Sequence, residues 1–333
     1  MSLGEFSVIN RFFSKPVGAE MLGGSDDAAR LRLPPNTDLV SCKDLLIEGR
    51  HFFSDVDAFR LGHKSLAVNL SDLAAMGATP LACLLGLGIP KVDSVWLEGF
   101  AAGFYQLADQ WQCPLIGGDT VSSQQGITIS VTALGFLPKE QVGLRRDRAA
   151  VGDDIWVSGD LGAADVALKA LSGKLDLPTS TLEVIRRYLE EPEPRVALGQ
   201  ALLPLAHAAI DISDGLVQDL QHILKASHRG ATLDWGCLPV HELISSLNAQ
   251  GILSDEALQS AVLSGGDVYE LCFTAPVDSR PAIEAISHQH SIALSRIGTV
   301  TEQAGLYLQQ PNGEKTVLAG GGFDHFNFSG EDD

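Results

Sequence analysis

The chain has 333 residues, and 42 acidic against 23 basic side chains leave a net charge of −19 at pH 7. That balance excludes the basic footprint needed to hold nucleic acid and disfavours an anionic membrane surface. Hydrophobic residues at 45% and charged residues at 20% are ordinary globular values, and the length favours two domains over a single core. The five cysteines, Cys42, Cys83, Cys113, Cys237 and Cys272, are scattered, odd in number and form no CxxC. They read as free thiols in a reducing compartment, not as a disulfide framework or a zinc site. The N-terminus has no signal-peptide apolar region, and no apolar run approaches the roughly 18 residues of a membrane span. The expectation is a soluble cytoplasmic protein.

In chain order, residues 38–48 predict a strand, 60–77 a helix, 81–89 ("LACLLGLGI") a strand and 94–111 an amphipathic helix. "PLIGG" (114–118) reads as a short buried strand and "GITISVTALGF" (126–136) as a β-branched one. The polar, aperiodic stretch 137–154 marks a break. Beyond it come the strand and turn of "IWVSGDLG", helices over 162–172, 181–190 and 195–206, and the strand "HAAIDIS". A helix over 215–227 follows, with strands near 231–234, 269–275, 293–299 and 304–309. The pattern implies an α/β protein of α+β type, with mixed sheets packed with helices. The predicted domains are 1–148 and 149–333.

Carboxylates recur at glycine-rich strand ends or in apolar surroundings: Asp26 and Asp27 in "GGSDDAA", Asp44 in "CKDLLIEG", Asp72 in "NLSDLAAMG", Asp119 in "LIGGDT", Asp211 and Asp214 in "AIDISDGL", and Asp267 in "SGGDVYEL". Gly117 and Gly118 permit close backbone approach to a ligand. Asp211 and Ser213 share one face by strand alternation, and Asp214 opens the next helix, where it either caps it or serves a site. Asp72 reads as a mid-helix residue with poor propensity and no capping duty, and Asn69 lies on the same face. Many carboxylates with almost no His or Cys partners suit a hard cation with oxygen ligands, Mg²⁺ above all, held together with phosphate oxygens. Without a cation such a cluster would repel itself. Mg²⁺–nucleotide chemistry is therefore the expectation, although neither a Walker A motif nor the protein-kinase motifs occur.

The motifs "GEFSVINRFF", "SDDAA", "DLLIEGRHF", "KSLAVNLSDLAAMGATP", "LIGGDT", "EPEPR", "AIDISDGLVQDLQHILKAS", "GGDVYELCF" and "GGFDHF" occur in one order. Together, over about residues 4–326, they resemble the thiamine-monophosphate kinase family, of the superfamily that includes aminoimidazole ribonucleotide synthetase. The resemblance implies ATP-dependent phosphorylation of thiamine monophosphate, two α/β domains, several Mg²⁺ ions and a homodimer formed through the N-terminal sheets. By motif it carries metal binding to Asp27, Asp44, Asp72, Asp119, Asp211 and Asp214, and nucleotide binding to Gly117, Gly118, Arg146 and Ser213. Substrate contacts go to His51, Asp267 and Phe323, where an aromatic face suits a cationic thiazolium. No general base is implied.

The chain departs from the family pattern near these positions. Ser25 replaces a glycine, Cys42-Lys43-Asp44-Leu45 replaces a hydroxyl-bearing stretch, Asp267-Val268 replaces two acids, and Arg146-Asp147-Arg148-Ala149 replaces "RSGA". Lys43 reads either as a cation beside the cluster or as a solvated strand residue. A second reading is a nucleotide or thiamine-phosphate sensor without turnover. A third, another ATP-dependent synthetase of the superfamily, is opposed by "EGRHF" and "FDHF". Trp111, Trp156 and Trp235 are expected to pack, and His222 to be structural.

Overall fold

The computed structural model describes residues 4–17, 21–22 and 27–318. The chain divides into two units, Met1–Gly143 with Glu190–Val196, and Leu144–Leu189 with Ala197–Asp333.

The first unit holds a four-stranded sheet of β1 (Thr37–Ile47), β2 (Thr79–Ile89), β3 (Leu115–Ser122) and β4 (Thr128–Pro138), in the order β1-β4-β2-β3. β4 is antiparallel to both neighbours, and β2 runs parallel to β3. Burial along β4 alternates residue by residue, with Ile129, Val131, Ala133 and Leu137 buried and Thr128, Ser130, Thr132, Leu134 and Phe136 half-exposed. That is the period of a sheet with one covered face. The cover is α1 (Ala58–Ala75) and α2 (Ser94–Gln110). Each starts on an aspartate: Asp57 accepts the N–H of Arg60 at 3.2 Å, and Asp93 those of Val95 and Trp96 at 3.0 and 3.2 Å. The helices meet backbone to backbone at Gly62 and Gly103. A Cβ at Gly103 would run into the Phe59 carbonyl, and one at Gly62 into that of Phe100. The segment after residue 189 belongs to this unit: Arg60 pairs with Glu190 at 3.1 Å and Glu191 at 3.3 Å, and the His63 ring meets the Pro192 carbonyl at 2.8 Å.

The second unit holds a seven-stranded sheet of β5 (Asp154–Ser158), β6 (Ala208–Asp211), β7 (Gly230–Asp234), β8 (Leu271–Ala275), β9 (Leu294–Thr301), β10 (Gly305–Gln309) and β11 (Lys315–Val317). Its order is β11-β10-β7-β9-β5-β8-β6, antiparallel throughout except for β7 with β10. Seven helices join its strands: α3 (Ala163–Leu171), α4 (Thr179–Glu190), α5 (Val196–Leu202), α6 (Leu216–Ser227), α7 (Glu242–Ala249), α8 (Asp255–Ser264) and α9 (Arg280–His290). The core includes Ile155, Val157, Ile210, Ile212, Leu216, Leu220, Ile223 and Cys272. Both sheets are mixed in the sense of the sequence expectation. Trp156 is a packing residue as expected, parallel to Phe273 with centroids 6.3 Å apart.

Candidate functional site

In the first unit Cys42 and Asp44 on β1 meet Asn69 near the end of α1. Strand alternation turns Val40, Cys42, Asp44 and Leu46 to the helix side and Leu39, Ser41, Lys43, Leu45 and Ile47 to the other. Asn69 on α1 is fully buried. Its Oδ1 accepts the Asp44 N–H at 3.2 Å, and its Nδ2 donates to the Ser65 carbonyl at 3.3 Å. One side chain thus ties an edge-strand N–H to the helix. The Cys42 thiol donates to the Asn69 carbonyl at 3.2 Å. Burial, then the charges of Asp72 and Asp44, push this thiol well above its ordinary range. Both effects disfavour the thiolate, the form in which a cysteine acts as nucleophile or metal ligand.

Asp72 is not mid-helix. It stands in the last turn of α1, and its carbonyl accepts the Met76 N–H. A carboxylate at that end faces the negative pole of the helix, so the position is less favourable than the sequence suggested. Lys43 lies on the far face, exposed and opposite Thr132, so it puts no cation into the cluster. Replacing Lys43 by Thr is expected to leave the half-saturating Mg²⁺ concentration within about twofold of wild type. A several-fold change in that titration would return Lys43 to the site.

Asp119 is exposed and lies inside β3, which continues to Ser122 where the sequence predicted an end at residue 118. Gly118 has φ +153°, and a Cβ there would strike the Leu85 carbonyl of β2. The glycine is thus required by strand packing alone. At Gly117 a Cβ would lie 3.2 Å from Leu84 Cδ2. His51 sits in the turn after β1, its Nδ1 accepting the Ile47 N–H at 3.0 Å. Lys64, buried on α1, reaches the His51 carbonyl at 3.4 Å. Asp27 is exposed. Ser25 and Phe323 lie outside the described residues.

In the second unit β6 ends at Asp211, which is buried. Strand alternation stops there, so Ser213 does not share its face by strand geometry. Ser213 and Asp214 are half-buried in the turn that follows. Asp214 is not the helix cap: α6 starts at Leu216 after Gly215. Gln218 Nε2 donates to Asp214 at 3.3 Å. The turn is held by Asp219, which the sequence reading passed over. One carboxylate oxygen, Oδ2, accepts the N–H groups of Ser213, Asp214 and Gly215 at 3.0, 3.0 and 3.1 Å. An acid four residues into a helix that follows a strand–turn was the available signal. Burial pushes Asp219 up to about 7, aided by the charges of Asp211 and Asp214 and opposed by the N–H bonds.

From the other side, Asp267 N–H donates to the Ser213 carbonyl and Tyr269 N–H to that of Ile212, both at 2.8 Å. Asp267 and Tyr269 both have left-handed backbone, at φ +59° and +56°. Such strain in non-glycine residues concentrates at functional loops. Tyr269 also donates its hydroxyl to Asp267 at 3.2 Å. Arg146 is exposed, and its carbonyl accepts the Ser227 hydroxyl at 2.9 Å. His222 is exposed on α6 and within electrostatic range of Arg146 and Asp214, so it is no core residue.

Asp44 and Asp72 thus both act electrostatically on Cys42, and Asp211 and Asp214 on Asp219. Among the described residues no three His, Cys, Asp or Glu side chains form a ready-made metal cage.

Residues 25–137 match the N-terminal domain of AIR synthase related proteins, and residues 150–310 match their C-terminal domain. The thiamine-monophosphate kinase of Escherichia coli strain K12 is 39% identical, over 98% of this chain and 99% of its own. That of Haemophilus influenzae is 36% identical over 99% of this chain and 100% of its own. The crystal structure of thiamine-monophosphate kinase from Stenotrophomonas maltophilia K279a superposes with a TM-score of 0.83 at 42% identity, covering 94% of this chain and 98% of that one. A further structure, AaThiL complexed with AMPPCP and TMP, covers 97% of both chains with a TM-score of 0.75 at 25% identity. The order of motifs, the two domains and full-length similarity agree, and the chain belongs to the thiamine-monophosphate kinase family of AIR synthase related proteins.

Proposed function

We propose that the protein transfers the γ-phosphoryl group of ATP to the phosphate of thiamine monophosphate, giving thiamine diphosphate and ADP. The observation that carries this is end-to-end similarity, at 39% identity, to kinases of that activity. The complex of a relative with AMPPCP and TMP supports ATP and thiamine monophosphate as the two ligands. The test is formation of thiamine diphosphate by the purified protein, and binding of ATP without product would favour a sensor.

Mg²⁺ is our assignment for the cation. The donor set fits it: carboxylate oxygens, two of them within electrostatic range of Cys42 and two within that of Asp219, suit a hard cation. Asp27, Asp44, Asp72 and Asp119 are assigned to Mg²⁺ ions in the first unit, and Asp211 and Asp214 to Mg²⁺ in the second. Mg²⁺ supplies the positive charge that two approaching phosphate groups need. Gly117, Gly118, Ser213 and Arg146 are assigned to the nucleotide, and His51, Asp267 and Phe323 to the thiamine phosphate. The acceptor oxygen already carries charge near neutral pH, so these residues have only to bind and align, and no general base is assigned.

A homodimer through the first sheet accompanies the family reading. What supports it is the face turned away from α1 and α2, where Leu39, Leu45 and Ile47 are 52%, 52% and 45% exposed beside Leu134 and Phe136. Leu45→Asp is expected to convert a dimer to monomer in sedimentation velocity, while an unchanged dimer would place the interface elsewhere. We also assign the protein to the cytoplasm. This is supported by five free cysteines, and no helix among the described residues is long and apolar enough to cross a membrane.

A further inference from the structure

The turn 213–215 carries two residues assigned to nucleotide and cation, yet it is neither strand nor helix. Its three consecutive N–H groups converge on a single oxygen of Asp219, itself 2% exposed. Its carbonyl side is tied through Ser213 to the left-handed residue Asp267. A turn clamped on both sides has one shape before any ligand arrives. Without that acceptor the buried Gly215 N–H would be left unsatisfied, and the half-buried N–H groups of Ser213 and Asp214 would lose the bonds that hold the turn.

We propose that Asp219 is a positioning residue for the nucleotide. It touches neither reactant and acts through the backbone of Ser213 and Asp214, presetting their side chains for ATP and its cation. This rests on the kinase reading for the identity of the ligand, but nucleotide binding can be measured apart from turnover. The alternative is that Asp219 only caps the start of α6.

Asp219→Ala removes the shared acceptor. It is expected to weaken MgATP binding, read by calorimetry, at least about tenfold, while the KM for thiamine monophosphate changes less than about twofold. Asp219→Asn keeps one oxygen able to take all three N–H groups and is expected to recover affinity to within about threefold of wild type. A folded Asp219→Ala protein with wild-type nucleotide affinity would overturn the proposal. So would equal loss of MgATP and thiamine monophosphate affinity, or an Asn variant as impaired as Ala. If Asp219→Ala does not fold, amide exchange in the wild-type protein decides. The amides of Ser213, Asp214 and Gly215 are expected to be protected without nucleotide, and exchange at free-chain rates would overturn the proposal. A wild type that binds MgATP but makes no thiamine diphosphate would sink the kinase reading and leave this inference standing.

Discussion

Asp72→Asn is expected to lower kcat/KM by roughly 10²–10³-fold while leaving the protein folded and at least as stable as wild type. The two halves of that expectation come from the same geometry. Asp72 lies in the last turn of α1, so it meets the like-signed field of the helix C-terminus. Removing its charge relieves that field, which is worth about 0.3–1 kcal/mol at a helix end. Loss of activity without loss of stability is the outcome that the cation assignment predicts for this residue. Activity is read as thiamine diphosphate formed at saturating Mg²⁺, and stability by urea unfolding. An Asn variant with full activity would remove Asp72 from the cation site. One that unfolds more readily than wild type would show that the carboxylate is structural.

Gly103→Ala is expected to have the largest effect on stability, a loss of about 3 kcal/mol, at the upper end of overpacking costs. Alanine is the better helix former by roughly 1 kcal/mol, so propensity alone predicts a gain. The added methyl would enter the Phe59 carbonyl, and a backbone atom inside a helix cannot rotate away. Against a net stability of roughly 5–15 kcal/mol the clash decides the outcome. Gly99 provides the contrast on the same helix. Its Cβ would stand 3.1 Å from the Ala58 side chain, a contact that a small shift absorbs, so Gly99→Ala is expected to fall near wild type. Urea unfolding of both variants is the check, and equal midpoints would show that the α1–α2 approach is looser than described.

Much of the fold was legible because its periodicities are strong. β4 alternates over 11 residues, and α1 and α2 run 18 and 17 residues behind aspartate caps, so type and extent both followed from pattern. Where local chemistry misled, tertiary pairing had prevailed. Two glycines after Ile116 read as a strand end, but pairing with β2 carries β3 on through Asp119. Alternation from Asp211 to Ser213 failed because Asp219, in the first turn of the next helix, holds that segment as a turn. The helices α7, α8 and α9, of 8, 10 and 11 residues, were not predicted.

At the site, the carboxylates were found from their unfavourable settings, because a charge in apolar surroundings is visible in sequence. Their supports were not. Asn69 drew notice only as a neighbour of Asp72, and its bond to Asp44 depends on the pairing of β1 with α1. Lys43 shows the converse. Next to Asp44 in sequence it reads either as a cation beside the cluster or as a solvated strand residue, and the structure places it on the opposite face, as strand alternation offered.

The most direct test is chromatographic. The full-length protein is incubated with ATP, Mg²⁺ and thiamine monophosphate, and the products are separated. The account predicts thiamine diphosphate and ADP in equal amounts, both abolished by chelating the Mg²⁺. ATP bound without either product, or ADP released at the same rate when thiamine monophosphate is left out, would contradict it.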